Sequence, residues 1–136
     1  HALSIGIGAS QQTEKRIVVV DGDGGFHMHS GSAASIGSAN NLTHIVLDNS
    51  SHESVGQQKT CATQTVDLKE LLSAYPYDSV TEVNDETGLR KAMGATSIGK
   101  HAIICPTHLS DTKFGRPPMK PVDIDRYIAK WRGMIE

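Results

Sequence analysis

Short apolar blocks of differing period run along this chain, and the period of each block names an element. Arg16-Ile17-Val18-Val19-Val20-Asp21 and Thr43-His44-Ile45-Val46-Leu47-Asp48 are near-continuous β-branched runs, the pattern of strands buried on both faces of a sheet. Ala102-Ile103-Ile104-Cys105 reads as another buried strand and Ser79 to Val83 as a short one. Between them lie helical patterns. Ala2 to Ala9 places apolar residues at 2, 5 and 9 on one face, and its glycines allow close approach to a sheet. Residues 31 to 40 (GSAASIGSAN) are small and weakly periodic, a helix suited to tight packing. Val66 to Tyr75 is amphipathic and stopped by Pro76; Glu86 to Met93 turns Leu89, Ala92 and Met93 inward; Asp123 to Trp131 forms a terminal helix. Ser50 to Thr65 is polar and reads as a long loop, a feature usually tied to function in compact domains. The alternation predicts an α/β fold: three layers, α/β/α, around a mainly parallel open sheet.

Length and charge narrow the options. The 136 residues suffice for a single domain over 1–136. With 38% hydrophobic and 21% charged residues the composition is that of an ordinary globular protein. A formal net charge of −2 offers no electrostatic reason to expect nucleic acid or an anionic membrane as partner. No apolar run approaches the roughly 20 residues of a membrane span. Cys61 and Cys105 fit no metal spacing, and free thiols suit a cytoplasmic protein. A domain that opens in a helix, with no strand or cap before it, is expected to have lost upstream sequence. From Thr107 to Glu136 the chain is basic and Pro-rich before its terminal helix.

In open parallel sheets, ligands bind beyond the carboxyl ends of the strands. The first strand ends in Gly22-Asp23-Gly24-Gly25, a flexible turn, and the second in Asp48-Asn49-Ser50-Ser51. Residues 25 to 48 lie between Gly24 and Asn49, the length of one helical crossover. Asp23 and Asn49 should therefore stand side by side at one rim. A carboxylate and an amide oxygen are hard ligands that suit Mg²⁺, which commonly takes one or two protein groups plus phosphate oxygens. The glycines leave backbone N–H groups open to phosphate, and a following helix would aim more of them at the same anion. The residues alone thus describe a magnesium-diphosphate site.

GDG closing one buried strand and Asn closing the next, at this separation, resembles the signature of thiamine-diphosphate-dependent 2-oxo-acid decarboxylases. The likeness sharpens after the Asn. His52-Glu53-Ser54-Val55-Gly56-Gln57-Gln58-Lys59-Thr60 is similar to the H-[ED]-S-[VT]-G-x-Q-x-T run of phosphonopyruvate decarboxylases, as are Met28-His29 and Gly115-Arg116-Pro117-Pro118. The sulfopyruvate decarboxylase β-chains share much of it. Two positions depart: Ser50 stands where the family usually has Gly, and Lys59 where it commonly has Pro. The Gly-Ser-Met-Gly that usually precedes His-Ala is absent before His1.

The resemblance implies a thiamine-diphosphate-binding fold and a set of roles. Asp23, Asn49 and the backbone carbonyl of Ser51 would hold Mg²⁺. Gly22, Gly24, Gly25 and His52 would join them around the cofactor, with His52 also the candidate catalytic residue. The implied reaction is decarboxylation of a small anionic 2-oxo acid, 3-phosphonopyruvate to phosphonoacetaldehyde and CO₂, with the cofactor as electron sink. The glutamate that activates the cofactor belongs to a pyrimidine-binding domain, and no segment here resembles one. A partner domain or subunit is therefore expected, in a homo-oligomer or hetero-oligomer, and the chain alone should be inert.

Plainer readings stand beside these. Asp23 and Asn49 would otherwise be a turn residue and a strand-end cap, His52 a solvated loop histidine and Glu53 structural. His27 and His29, two apart, cannot face one another on a helix or strand, which argues against a zinc pair. Met28 reads as core. Lys113 and Arg116 suit a phosphonate or sulfonate, though an exposed basic tail explains them as well. Trp131 anchors the terminal helix, and Cys61 and Cys105 have no neighbouring base. Rival functions are a sulfopyruvate decarboxylase, an acetolactate-synthase-like enzyme, and a non-catalytic module binding a phosphorylated ligand. A nucleotide-binding domain is disfavoured because no G-x-G-x-x-G or P-loop motif closes a strand.

Overall fold

A computed structural model describes residues 1–61, 65–96, 98–109 and 124–135. Four parallel strands form its sheet: β1 (Ile17–Gly22), β2 (Leu42–Asp48), β5 (Ser79–Glu82) and β6 (Lys100–Pro106), in the order β1-β2-β6-β5. β2 and β6 are central, and their side chains are buried alternately on opposite faces, as continuous β-branched runs require. On one face Leu42 and Val46 of β2 and Ala102 and Ile104 of β6 pack with Leu3 and Ile7 of α1 (Ala2–Ser10). Phe26 of α2 (Asp23–Met28) and Leu68 and Leu72 of α3 (Leu68–Ser73) complete that layer. On the other face Ile45, Ile103 and Cys105 meet Ala92, Leu89 and Met93 of α4 (Glu86–Ala95), the inward face expected from the sequence. The result is the expected three-layer α/β/α arrangement with a parallel sheet.

Four local readings change. β1 is not buried on both faces. It is an edge strand, with Ile17 and Val19 against the core but Val18 and Val20 exposed at 42% and 54%. These two valines help line an open cavity of about 480 Å³ shared with Ala2, Ile5 and Trp131. Of the expected inward positions 2, 5 and 9 of α1, Ala9 is buried and Ala2 packs partly against the core, but Ile5 is 61% exposed. The inward face also takes in Leu3, Gly6, Ile7 and Ser10. Gly6 decides that rotation, because a Cβ there would lie 2.2 Å from Val19 Cγ2 and 3.5 Å from Leu42 Cδ1. Residues 31–40 do not make an α-helix. Ser30–Ser38 winds as a 3₁₀ segment that buries Ala33 and Ile36, three apart, as its period demands. Ser32 and Ser38 donate their hydroxyls to the carbonyls of His29 and Ser35 at 2.8 Å, bonds that compete with regular helix. Finally, the polar stretch after β2 is ordered by a small antiparallel ladder of β3 (Ser51–His52) and β4 (Gln58–Lys59), joined through a 3₁₀ turn at Glu53–Val55.

The helix ends follow their capping residues. Asp67 accepts from Glu70 N at 2.9 Å and Asp85 from Gly88 N at 2.6 Å, so α3 and α4 begin one residue after an Asp N-cap. α5 (Ile124–Ile135) continues past Trp131, which is half-buried. Lys113 and Arg116 lie outside the described residues. Among the described residues no helix is long and apolar enough to cross a membrane.

One polar group crosses the core. His44, fully buried on β2, hydrogen-bonds through Nδ1 to the Tyr77 hydroxyl at 2.8 Å. Its Nε2 lies 3.3 Å from Asp21 Oδ2 on β1 without hydrogen-bond alignment. Burial raises the Tyr77 phenol well above its ordinary range, and the charges of Asp21 and Tyr75 push the same way.

Two expectations follow from this packing. Gly6→Ala forces α1 off the stiff Val19 side chain and should cost about 1–3 kcal/mol in chemical denaturation; unchanged stability would mean the contact yields freely. Tyr77 resists ionisation when folded, so above about pH 10 the unfolded chain releases a proton that the folded chain keeps, and stability falls as pH rises. Tyr77→Phe should remove that part of the alkaline fall. It should also cost about 1–3 kcal/mol at neutral pH by leaving His44 Nδ1 unpaired. An alkaline slope identical in both proteins would count against the assignment.

Candidate functional site

β1 and β2 run parallel with Gly22 opposite Leu47. Asp23 and Asn49 therefore follow the carboxyl ends of adjacent strands, on the same rim. Asp23 is the first residue of α2, with Gly22 as N-cap in an extended conformation, so the GDG segment passes from strand to helix without a loop. This corrects the flexible turn expected there. Gly24 and Gly25 fall in the first helical turn, where backbone N–H groups have no partner within the helix.

The second half of the site is built by side chains that bond to their own backbone. Asp48 Oδ1 accepts from Ser50 N at 2.9 Å and from Ser50 Oγ at 3.2 Å, and Asn49 Oδ1 accepts from Ser51 N at 3.0 Å. These successive Asx turns reverse the chain and hold Ser50 at φ 59°. Asn49 Nδ2 donates to Glu53 Oε2 at 3.0 Å, which fixes the amide's orientation and gives Glu53 a structural contact. The Asn49 carbonyl oxygen has two lone pairs; one takes the Ser51 N–H and capacity for a cation remains.

Both halves meet. The imidazole of His52 lies over Gly24, where a Cβ would come within 2.4 Å of Nδ1 and 2.7 Å of Cε1. A side chain at 24 would therefore have to displace the His52 ring, a contact the sequence does not reveal. A Cβ at Gly22 would meet nothing within 4 Å, and one at Gly25 only Asp21 Oδ1, at 3.9 Å, which leaves their outer sides open to a ligand. Thr60, just past β4, donates its hydroxyl to Asp23 Oδ2 at 2.5 Å, and its backbone N–H donates to Ser50 O at 3.1 Å.

Each sequence-predicted residue gathers at this rim: Gly22, Asp23, Gly24, Gly25, Asn49, Ser51 and His52. Asp23 is 1% exposed, and Asn49 and His52 are half-buried. His27 and His29 diverge. The Nε2 of His27 is buried without a partner, whereas the His29 ring sits 3.8 Å from the ring of His1. Met28 is exposed rather than core, because α2 ends there and turns it to solvent. Sequence reasoning assigned no role to Thr60, Asp21, His44 or Tyr77. Two signals were available: His44 is a polar residue inside an apolar run, and Thr60 closes the 52–60 run that resembles the decarboxylase motif, though neither names a partner.

The chemistry of the donor set fits magnesium. One carboxylate, one amide oxygen and a backbone carbonyl are hard ligands, few enough to leave positions for water and phosphate oxygens. The set contains a single acidic residue, in keeping with the lack, among the described residues, of any cluster of three His, Cys, Asp or Glu able to hold a metal. Ser51 Oγ is buried without a hydrogen-bond partner at the same place. Such an unmet group is costly, and a polar ligand would relieve it.

Comparison with known proteins gives the same direction. Residues 1–106 match the family model described as thiamine pyrophosphate enzyme, C-terminal TPP binding domain. The chain is 35% identical over 133 residues to a phosphonopyruvate decarboxylase of Streptomyces viridochromogenes, covering 92% of this chain and 32% of the relative. A second, from Streptomyces hygroscopicus, is 34% identical, covering 96% of this chain and 33% of that protein. The sulfopyruvate decarboxylase subunit beta of Methanocaldococcus jannaschii is 37% identical, covering 98% of this chain and 70% of the subunit. The chain spans about a third of the length of the two Streptomyces relatives.

Proposed function

The chain belongs to the thiamine pyrophosphate enzymes, in their C-terminal TPP-binding domain, and from that membership we propose that it supplies the diphosphate- and magnesium-binding half of a 2-oxo-acid decarboxylase. The observation that carries this reading is the placement of Asp23 and Asn49 at the carboxyl ends of two adjacent parallel strands. In it, Asp23, Asn49 and the Ser51 carbonyl would hold Mg²⁺, which would supply positive charge for the cofactor's diphosphate. Gly24 and Gly25 contribute N–H donors from the first turn of α2, with Gly22 leaving that approach open. The cofactor, when bound, supplies the nucleophilic carbon and the electron sink for loss of CO₂.

The chain's own residues bind and orient. Thr60 and Glu53 hold Asp23 and Asn49 in place, and burial of Asp23 keeps bulk water from competing for its carboxylate. His52, half-buried over Gly24, stands where an imidazole can contact substrate or carry a proton. A pyrimidine-binding domain or subunit completes the site in a larger assembly, homo- or hetero-oligomeric. The free thiols of Cys61 and Cys105 suit the cytoplasm.

The substrate we assign is 3-phosphonopyruvate, on the names of the Streptomyces relatives and the 52–60 motif. A second reading, sulfopyruvate as substrate of a separate β subunit, is favoured by the larger share of the archaeal subunit that this chain covers. Both substrates are 2-oxo acids with a tetrahedral anion at the far end.

Calorimetry on the intact protein tests the cofactor half. Thiamine diphosphate should bind tightly only with Mg²⁺, and Asp23→Ala should weaken that binding by more than about a hundredfold. Wild-type affinity in the variant would remove Asp23 from the metal. Turnover of phosphonopyruvate, sulfopyruvate and pyruvate then decides the substrate, and a preference for unsubstituted pyruvate would overturn both assignments.

A further inference from the structure

We infer that Thr60 is the positioning residue for Asp23, so that the fold of the segment from Asn49 to Thr60 sets the affinity of the site for its divalent cation. The inference rests on the reading of Asp23 as a cation ligand and adds to it a residue that acts through that ligand. Asp23 is 1% exposed, and a buried carboxylate must be met by donors or by a cation. Thr60, also 1% exposed, meets Oδ2 with its hydroxyl at 2.5 Å. The carboxylate torsion is intrinsically broad and roughly two-fold. A donor fixed on one oxygen therefore selects the rotation and so aims the other oxygen.

Thr60 is itself held by the metal-binding loop. Its N–H donates to Ser50 O, and β4 just before it pairs with β3 in the register Ser51 opposite Lys59. Ser50 is the residue between Asn49 and Ser51, the two other candidate ligands. Thr60 thus links all three: its backbone closes the turn that carries Asn49 and Ser51, and its side chain grips Asp23. A loop that opens would release the carboxylate at the same moment as it displaces the amide and the carbonyl. Cation affinity and loop order become one equilibrium.

The test is Mn²⁺ titration of the intact protein in the presence of thiamine diphosphate, followed by electron paramagnetic resonance of the free ion. Thr60→Val removes the hydroxyl and keeps the shape; it should weaken Mn²⁺ about 10–100-fold, the usual effect of losing a partner that orients a metal ligand. Thr60→Ser restores the hydroxyl and should return affinity to within about threefold of wild type. If Thr60→Val does not fold, Thr60→Ala replaces it with the same expectation. Wild-type affinity in the hydroxyl-less variant, or a Thr60→Ser protein as weak as Thr60→Val, would overturn the inference. Asp23→Ala separates the two levels. If it binds Mn²⁺ normally, the reading of Asp23 as ligand fails and the inference with it; if it loses Mn²⁺ while Thr60→Val keeps it, only the role of Thr60 fails.

Discussion

Parallel pairing of β1 with β2 is the constraint from which the rim is built. With Gly22 opposite Leu47, the chain leaves both strands on the same side of the sheet. Two segments far apart in sequence are thereby brought together where the last ladder hydrogen bonds end and backbone groups need other partners. A one-residue slip would turn every side chain of β1 over. Val19 would leave the core and Val18 would enter it, and the close approach of Gly6 to Val19 would be lost. The core thus fixes the register, and the register fixes the rim.

A polar link reinforces this coupling from inside. Asp21, two residues before Asp23, faces His44 of β2, and His44 bonds to Tyr77 just before β5. A buried polar group is costly unless it is matched. His44 Nδ1 is met by Tyr77, whereas Nε2 faces Asp21 at 3.3 Å without a hydrogen bond. The pairing with Tyr77 holds only while β2 and the turn before β5 keep their observed positions. Apolar packing tolerates small shifts more readily than such a pairing does. The base of the rim is therefore specified by directional contacts as well as by volume.

How much of this was legible follows from the range of each interaction. The strands and the GDG and Asn positions were legible because periodicity and strand-end residues are local in sequence. The rim could be deduced because a crossover of that length forces parallel neighbours. The face of α1 was not, since Ile5 is as apolar as Ile7 and only the distance from Gly6 to Val19 distinguishes them. The exposed side of β1 was hidden for a similar reason: Val18 and Val20 look like core until the strand order places them at an edge. The hairpin of β3 and β4 escaped because each strand has two residues, too few for a period to register. Thr60 escaped because its partner lies 37 residues away.

The two departures from the family's usual residues can now be weighed physically. Ser50 occupies φ 59°, a left-handed conformation natural to the glycine it replaces and costing other residues about 1–2 kcal/mol. Its N–H and hydroxyl both bond to Asp48 Oδ1, contacts of which glycine could make only one, and these offset the strain locally. Lys59 lies in β4 opposite Ser51, and its side chain is exposed. Because Thr60 N donates to Ser50 O, the Ser51–Lys59 pair is a non-hydrogen-bonded one, so a proline there would give up no ladder donor and either residue suits the position. Neither change displaces Asn49 or Ser51 from the turn that presents them. Lys59 is exposed, whereas Ser50 is half-buried and tied to Asp48 through its N–H and hydroxyl. A change at Lys59 therefore bears on what meets the loop from outside, and a change at Ser50 on the turn itself.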